Sequence, residues 1–190
     1  MAISAETQNF LFTRTDDAAK TARELQTRLS EHLLLDLERG KKPFKTTVEV
    51  LFADAKTIYV VSAENRGHIS LSGEAPSQFL VCTDTIRRLL SQSGKFKPRQ
   101  KITLTGHEQK TDLLTVRWGE IRVGRSLFGA FVEGRCTAKF GDKKTALLAS
   151  SFIEELKEKT TGKDDTLFVL CTERNEDRNY ISLLEKINAV

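Results

Sequence analysis

The chain is 190 residues long, enough for one domain with a sizeable buried core, and a single domain over residues 1–190 is expected. At 39% hydrophobic and 29% charged it reads as neither a membrane protein nor a disordered chain, and no apolar run nears the ~20 residues of a membrane span. The formal charge is +4 with acids and bases interspersed, which permits an anionic partner without demanding one.

In chain order, Met1 to Phe12 has no basic start followed by an apolar run of secretory length. Glu6, Asp16 and Asp17 weigh against a mitochondrial presequence, so a nuclear or cytosolic protein is expected. Phe10, Leu11 and Phe12 suggest a first short strand. Thr15 is a plausible N-cap for a helix with Ala18, Ala22, Leu25, Leu29, Leu33 and Leu37 on one face, stopping at Gly40. Strands follow around Val48, Val50 and Phe52, then Ile58 to Val61, Ile69 to Leu71 and Phe79 to Cys82. Thr83 or Asp84 caps a helix carrying Ile86, Leu89 and Leu90, closed by Gly94. A basic loop, Lys95 to Arg99, leads into a half-buried strand with Ile102 and Leu104.

Asp112 to Phe140 reads as three antiparallel strands cornered by glycines. Leu114, Val116 and Trp118 alternate with polar residues, Gly119 interrupts, and Gly124 turns the chain after Ile121 and Val123. From Phe128 onward, Phe128, Ala130, Val132, Gly134, Cys136, Ala138 and Phe140 point one way, while Phe131, Glu133 and Arg135 point to a face expected to be wet. Gly129 and Gly134 are expected to bend this long strand, as at a barrel corner. Asp142 caps a further helix with Leu147, Leu148, Phe152 and Leu156, ending at Gly162. Thr166 to Thr172 is apolar on both faces, as in a strand covered by helices, and Asp177 opens a last helix with Tyr180, Ile181, Leu184 and Ile187. The three cysteines, Cys82, Cys136 and Cys171, lie far apart in strand-like runs and read as buried thiols of a reducing compartment. The elements add up to an α+β fold: a mainly antiparallel, barrel-like sheet flanked by about four helices.

Within this pattern, Tyr59-Val60, Phe79-Leu80-Val81, Asp84-Thr85 with Leu89, and Gln100-Lys101-Ile102 with Gly106 follow one another in order. Asp112-Leu113-Leu114 then precedes Gly119, Gly124, Gly129, Val132 and Glu133, and Leu147-Leu148, Ser151-Phe152-Ile153 and Tyr180 to Ile187 close the run. This succession resembles the Mediator head-module subunit 20 family over Ile58 to Glu158 and again over Tyr180 to Ile187. The opening Met1 to Phe12 departs from that family's usual start. The resemblance implies a nuclear, non-enzymatic β-barrel scaffold that pairs with subunit 18, itself a related barrel, and is tethered through subunit 8. It further implies coactivation of RNA polymerase II initiation, with contact to the TATA-binding protein or the polymerase.

Catalysis needs convergent groups, and none stands out. His32, His68 and His107 fall on a helix, a turn and a strand end, and no His or Cys pair has metal-ligand spacing. Nucleotide-binding and nucleophile motifs are absent, and no cofactor is expected. A barrel of this kind also resembles the tunnel of metal-dependent RNA triphosphatases, which need paired Glu-x-Glu carboxylates. Glu49 stands between Val48 and Val50, and Glu133 is followed by Gly134 and Arg135, so the second carboxylate is missing each time. The alternative to a scaffold is a basic RNA- or single-stranded-DNA-binding module. Lys95, Lys97, Arg99 and Lys101 around Phe96, with Arg117, Arg122, Arg125 and Arg135 on or near the long strands, would carry it. Ordinary solvated loop and strand faces explain the same residues, and direct nucleic-acid binding is not expected. The partner-binding candidates are Trp118, Arg122, Arg125 and Phe131. Trp118 fits a core position or an interface anchor, and Phe131 an exposed ring on the wet face.

Overall fold

The computed structural model describes residues 8–15, 17, 20, 21, 23, 24, 27, 28, 31, 40–53, 56–64, 69–73, 79–110, 114–136, 151, 158, 166–171, 176–187 and 189. Among the described residues, nine strands form one antiparallel sheet: β1 Gln8–Arg14, β2 Lys42–Ala53, β3 Lys56–Ala63, β4 Ile69–Gly73, β5 Phe79–Cys82, β6 Lys97–Lys110, β7 Leu114–Val123, β8 Ser126–Cys136 and β9 Thr166–Cys171. They lie in the order β5-β4-β3-β2-β6-β7-β8-β1-β9. Among the described residues, two helices run unbroken, α1 Asp84–Gln92 and α2 Glu176–Lys186.

The expected α+β class holds, and the sheet is antiparallel throughout. The barrel does not close, because β5 and β9 end the order instead of pairing with each other. The sheet wraps α2. Tyr180 meets Phe10 of β1 and Phe44 of β2, Glu185 meets Tyr59 of β3, and the Ala189 carbonyl accepts from Gln100 of β6. From β3 to β1 a flat sheet would span roughly 24 Å at about 4.8 Å per strand, twice the ~10–12 Å width of a helix. One helix reaches across that range only if the sheet curls, and a helix held inside keeps the two edges apart. Of the four predicted helices, two are thus described end to end. The described positions from Lys20 to Glu31 are helical, while Leu25, Leu29, Leu33 and Leu37 lie outside the described residues. So do the apolar residues of the helix predicted after Asp142.

The main core lies between α2 and the inner face of the sheet. Phe10, Phe12, Phe44, Val48, Val50, Val61, Ile102, Leu104, Ile121 and Phe131 pack there against Tyr180, Ile181, Leu183 and Leu184. On the outer face, α1 covers Leu51, Val60 and Ile58 with Ile86 and Leu90, and Phe96 completes the cluster. Leu89 was expected inside but is 58% exposed, since the inward stripe of α1 runs from Ile86 to Leu90, one turn apart.

Three strand expectations change. Gly119 is no corner: β7 runs straight through it, opposite Gly106 of β6. A Cβ on either glycine would meet the facing strand's backbone, so the pair lets two strands approach closely. The bend predicted at Gly129 is present as a bulge, with Ile121 pairing Gly129 and Arg122 pairing Leu127, which leaves Phe128 unmatched. Lys97 to Arg99 belong to β6 and not to a loop. At the far edge, Leu167 of β9 is exposed, so that position is not covered as expected. The cysteine side chains lie outside the described residues.

Candidate functional site

Cross-strand register gathers charge on the inner face. Glu108 of β6 sits opposite Arg117 of β7, and Arg117 sits opposite Glu133 of β8. Paired residues share a face, so three strands deliver a carboxylate, a guanidinium and a second carboxylate in a row. The guanidinium of Arg117 donates to Glu108 at 2.6 Å and to Glu133 at 3.2 Å. Helix α2 supplies the rest. Arg117 also donates to Glu176 and, at 2.6 Å, to the Tyr180 hydroxyl, which itself donates to Glu133 at 2.7 Å. Arg135 holds the other oxygen of Glu176 at 2.7 Å, and Lys110 approaches Glu108 at 3.2 Å. The Arg117 guanidinium lies 4.7 Å from the centre of the Phe44 ring, a cation–π contact.

The cluster is dry. Glu133 and Tyr180 are fully buried, and the Arg117 side chain is 9% exposed. Burial works against the Arg117 charge, but Glu133, Tyr180, Glu176 and Glu108 more than offset that and hold the guanidinium above its ordinary value. Burial would likewise raise the Glu108 carboxyl, yet the charge of Arg117 and hydrogen bonds from Arg117 and Lys110 hold it below the usual carboxylate range. Tyr180 is pushed well above the ordinary phenol value, first by burial and then by the negative charge of Glu133. Three cations face three carboxylates, so the set is balanced internally. Among the described residues no group of His, Cys, Asp or Glu is placed to hold a metal ion. The cation among these carboxylates is Arg117 itself.

The four predicted partner-binding residues do not converge. Trp118 is 2% exposed and stacks on His107, its neighbour across the ladder, which is a core position and not a surface anchor. Phe131 is corrected outright: it is fully buried against Phe44, because α2 covers the face the strand pattern marks as wet. Arg122 and Arg125 are exposed near the tip of the β7–β8 hairpin, where Arg122 donates to Glu120 at 2.5 Å. Glu49 sits on the outer face, held by Arg87 at 2.5 Å, so it does not join Glu133. Of the residues suggested for nucleic-acid contact, Arg117 and Arg135 are tied into the cluster, and Phe96 packs on the α1 cluster.

Pattern reading missed Phe44, Glu108, Glu176 and Tyr180 as members of one cluster. One signal was available. The last helix carries Tyr180, Ile181 and Leu184 on one side, and that side needs a sheet face to cover.

No known protein family matches the chain, and no curated protein is similar to it. Among solved structures, the chain is similar to one from the Schizosaccharomyces pombe Mediator head module at 12% identity, with 86% of this chain and 100% of that one covered and a TM-score of 0.46. It is also similar to a candidate adenylate cyclase of Bacillus halodurans at 9% identity, covering 93% and 96%, TM-score 0.49. A third likeness is to the Pct1 RNA triphosphatase of S. pombe at 9% identity, covering 100% and 85%, TM-score 0.41. At such identities and scores, none assigns a function to this chain.

Proposed function

We propose that the chain is a non-enzymatic scaffold subunit of the Mediator head module. It pairs with subunit 18, reaches the rest of the head through subunit 8, and acts in the nucleus as a coactivator of RNA polymerase II initiation, with the TATA-binding protein or the polymerase within reach. The family reading rests on the ordered resemblance over Ile58 to Glu158 and again over Tyr180 to Ile187. The observation that carries the non-enzymatic part is the occupancy of the inner face. A tunnel enzyme of this shape needs carboxylates and cations turned toward an open lumen, with unsatisfied valences for substrate or metal. Here α2 fills that space, and Glu176 and Tyr180 complete the hydrogen bonding of Arg117 and Glu133. Such a closed polar set fixes the helix and commits the charged groups of this cluster to one another.

The test is affinity purification of the tagged full chain from native extract, with mass spectrometry of what co-elutes. Co-elution of subunits 18 and 8 is the expected result. Their absence, with the tagged chain folded and present in the nucleus, sinks the assignment. The non-enzymatic part is checked separately: phosphate release from nucleoside triphosphates or triphosphate-ended RNA with magnesium or manganese stays at background.

A further inference from the structure

We propose that strand β5, at one end of the sheet, takes up an extended apolar segment of a partner protein as a further strand. Edge and exposure carry this, whatever complex the chain joins.

Two rows of the sheet, one on each face, lose their cover toward β5. Val60 pairs with Leu71 and Leu71 with Leu80, which sets Val60 and Leu80 on the outer face. Val61 pairs with Ser70 and Ser70 with Val81, which sets Val61 and Val81 on the inner face. Val60 lies under α1 and Val61 in the core around α2, and each is 1% exposed. Leu80 by contrast is 57% exposed and Val81 56%. Strand β5 lies two places beyond β3, roughly 10 Å away, whereas a helix reaches only ~5–6 Å to either side of its axis. Both helices therefore stop short of the last strand, and β5 is bare above and below.

Its far side is open as well. Among the described residues β5 ends the strand order, so every second residue turns a backbone N–H and C=O away from β4. End strands are ordinarily guarded by charge, by proline or by a covering element. No charged residue occurs between Glu74 and Asp84, and Phe79–Cys82 contains no proline. The opposite end strand, β9, differs, because α2 packs against it. Shortness is the guard β5 keeps: four residues limit how tightly a strand is held, not what kind of element fits.

These features choose the occupant. A helix satisfies its own backbone and covers one face only, leaving either Leu80 or Val81 in water. A nucleic acid needs cations, and the run from Ala75 to Thr83 holds none. A second copy of the chain, paired through β5, meets it with the same four residues, far short of the ~20–30 a side of a stable dimer. An extended segment places alternate side chains beside Leu80 and Val81, so its centre is apolar on both faces. Other contacts of its protein supply the remaining affinity.

The experiment follows amide hydrogen exchange of the full chain by NMR in the presence of a millimolar synthetic peptide, acetyl-Lys-Thr-Val-Ile-Val-Thr-Lys-amide. Two further versions carry N-methyl groups on alternate residues, one version for each set. The unmodified peptide is expected to slow exchange of the outward amides of β5 at least about threefold. One N-methyl version retains that effect and the other loses it, because a strand offers every second amide to its neighbour. Leu80→Lys combined with Val81→Lys abolishes the protection with the thermal unfolding profile retained, while Leu167→Lys on β9 leaves it unchanged. Absent protection of β5, equal behaviour of the two N-methyl versions, or protection that survives the paired lysines overturns the idea. So does a dimer of the chain alone that the paired lysines dissolve, since the occupant is then a second copy.

Discussion

Arg117 decides more than any other single residue here. It is one polar position in a strand, yet it meets Glu108 and Glu133 across two ladders, Glu176 and Tyr180 on α2, and the face of Phe44. Buried ion pairs contribute little net stability when intact, because desolvation offsets attraction. Breaking one is another matter, since the abandoned carboxylates stay buried. Arg117→Ala leaves Glu133, fully buried, and Glu108 without their main cation. The expected loss is about 3–5 kcal/mol in a urea melt of the purified chain. A change under about 1 kcal/mol would mean that water or other side chains already satisfy these carboxylates.

At the scale of elements, the two helices do different work. Helix α2 is core: Tyr180, Ile181, Leu183 and Leu184 are buried between strands that converge on it. Helix α1 contains no fully buried residue and rests on the outer face through Ile86 and Leu90, fastened by the Arg87–Glu49 pair. Matched truncations separate them. Leu184→Ala opens a cavity in the core and is expected to cost about 2–5 kcal/mol, whereas Leu89→Ala, on a surface position, stays within about 0.5 kcal/mol of the parent. Parallel denaturant titrations of both variants check the difference. Equal costs would mean that α2 is not the helix around which the sheet is built.

For the molecule as a whole, the clamp between sheet and α2 makes the fold acid-sensitive. Glu108 has a lowered folded-state pKa, so its contribution to stability is present above the unfolded carboxylate value and is lost as pH falls through the folded one. Stability therefore drops on the acid side, and Glu108→Gln flattens that drop, as melts across an acidic pH series will show. A variant with an unchanged acid profile would place the sensitivity on other carboxylates. Much of this architecture was legible in the residues alone. Alternation over β2, β6, β7 and β8 announced an antiparallel sheet, Gly124 its hairpin, Gly129 its bend, and the stripe from Tyr180 to Leu184 a packed helix. Those features depend on period and turn chemistry, which neighbours along the chain decide. Which face of β8 is dry was not local. Phe131 and Glu133 look wet until α2, more than forty residues onward, covers them, and then both faces of the strand are buried. The clamp had the same origin. Arg117, Glu133 and Glu176 are ordinary charges in sequence, and only the curl of the sheet around a distant helix brings them within hydrogen-bond reach, where the missing water makes each one count.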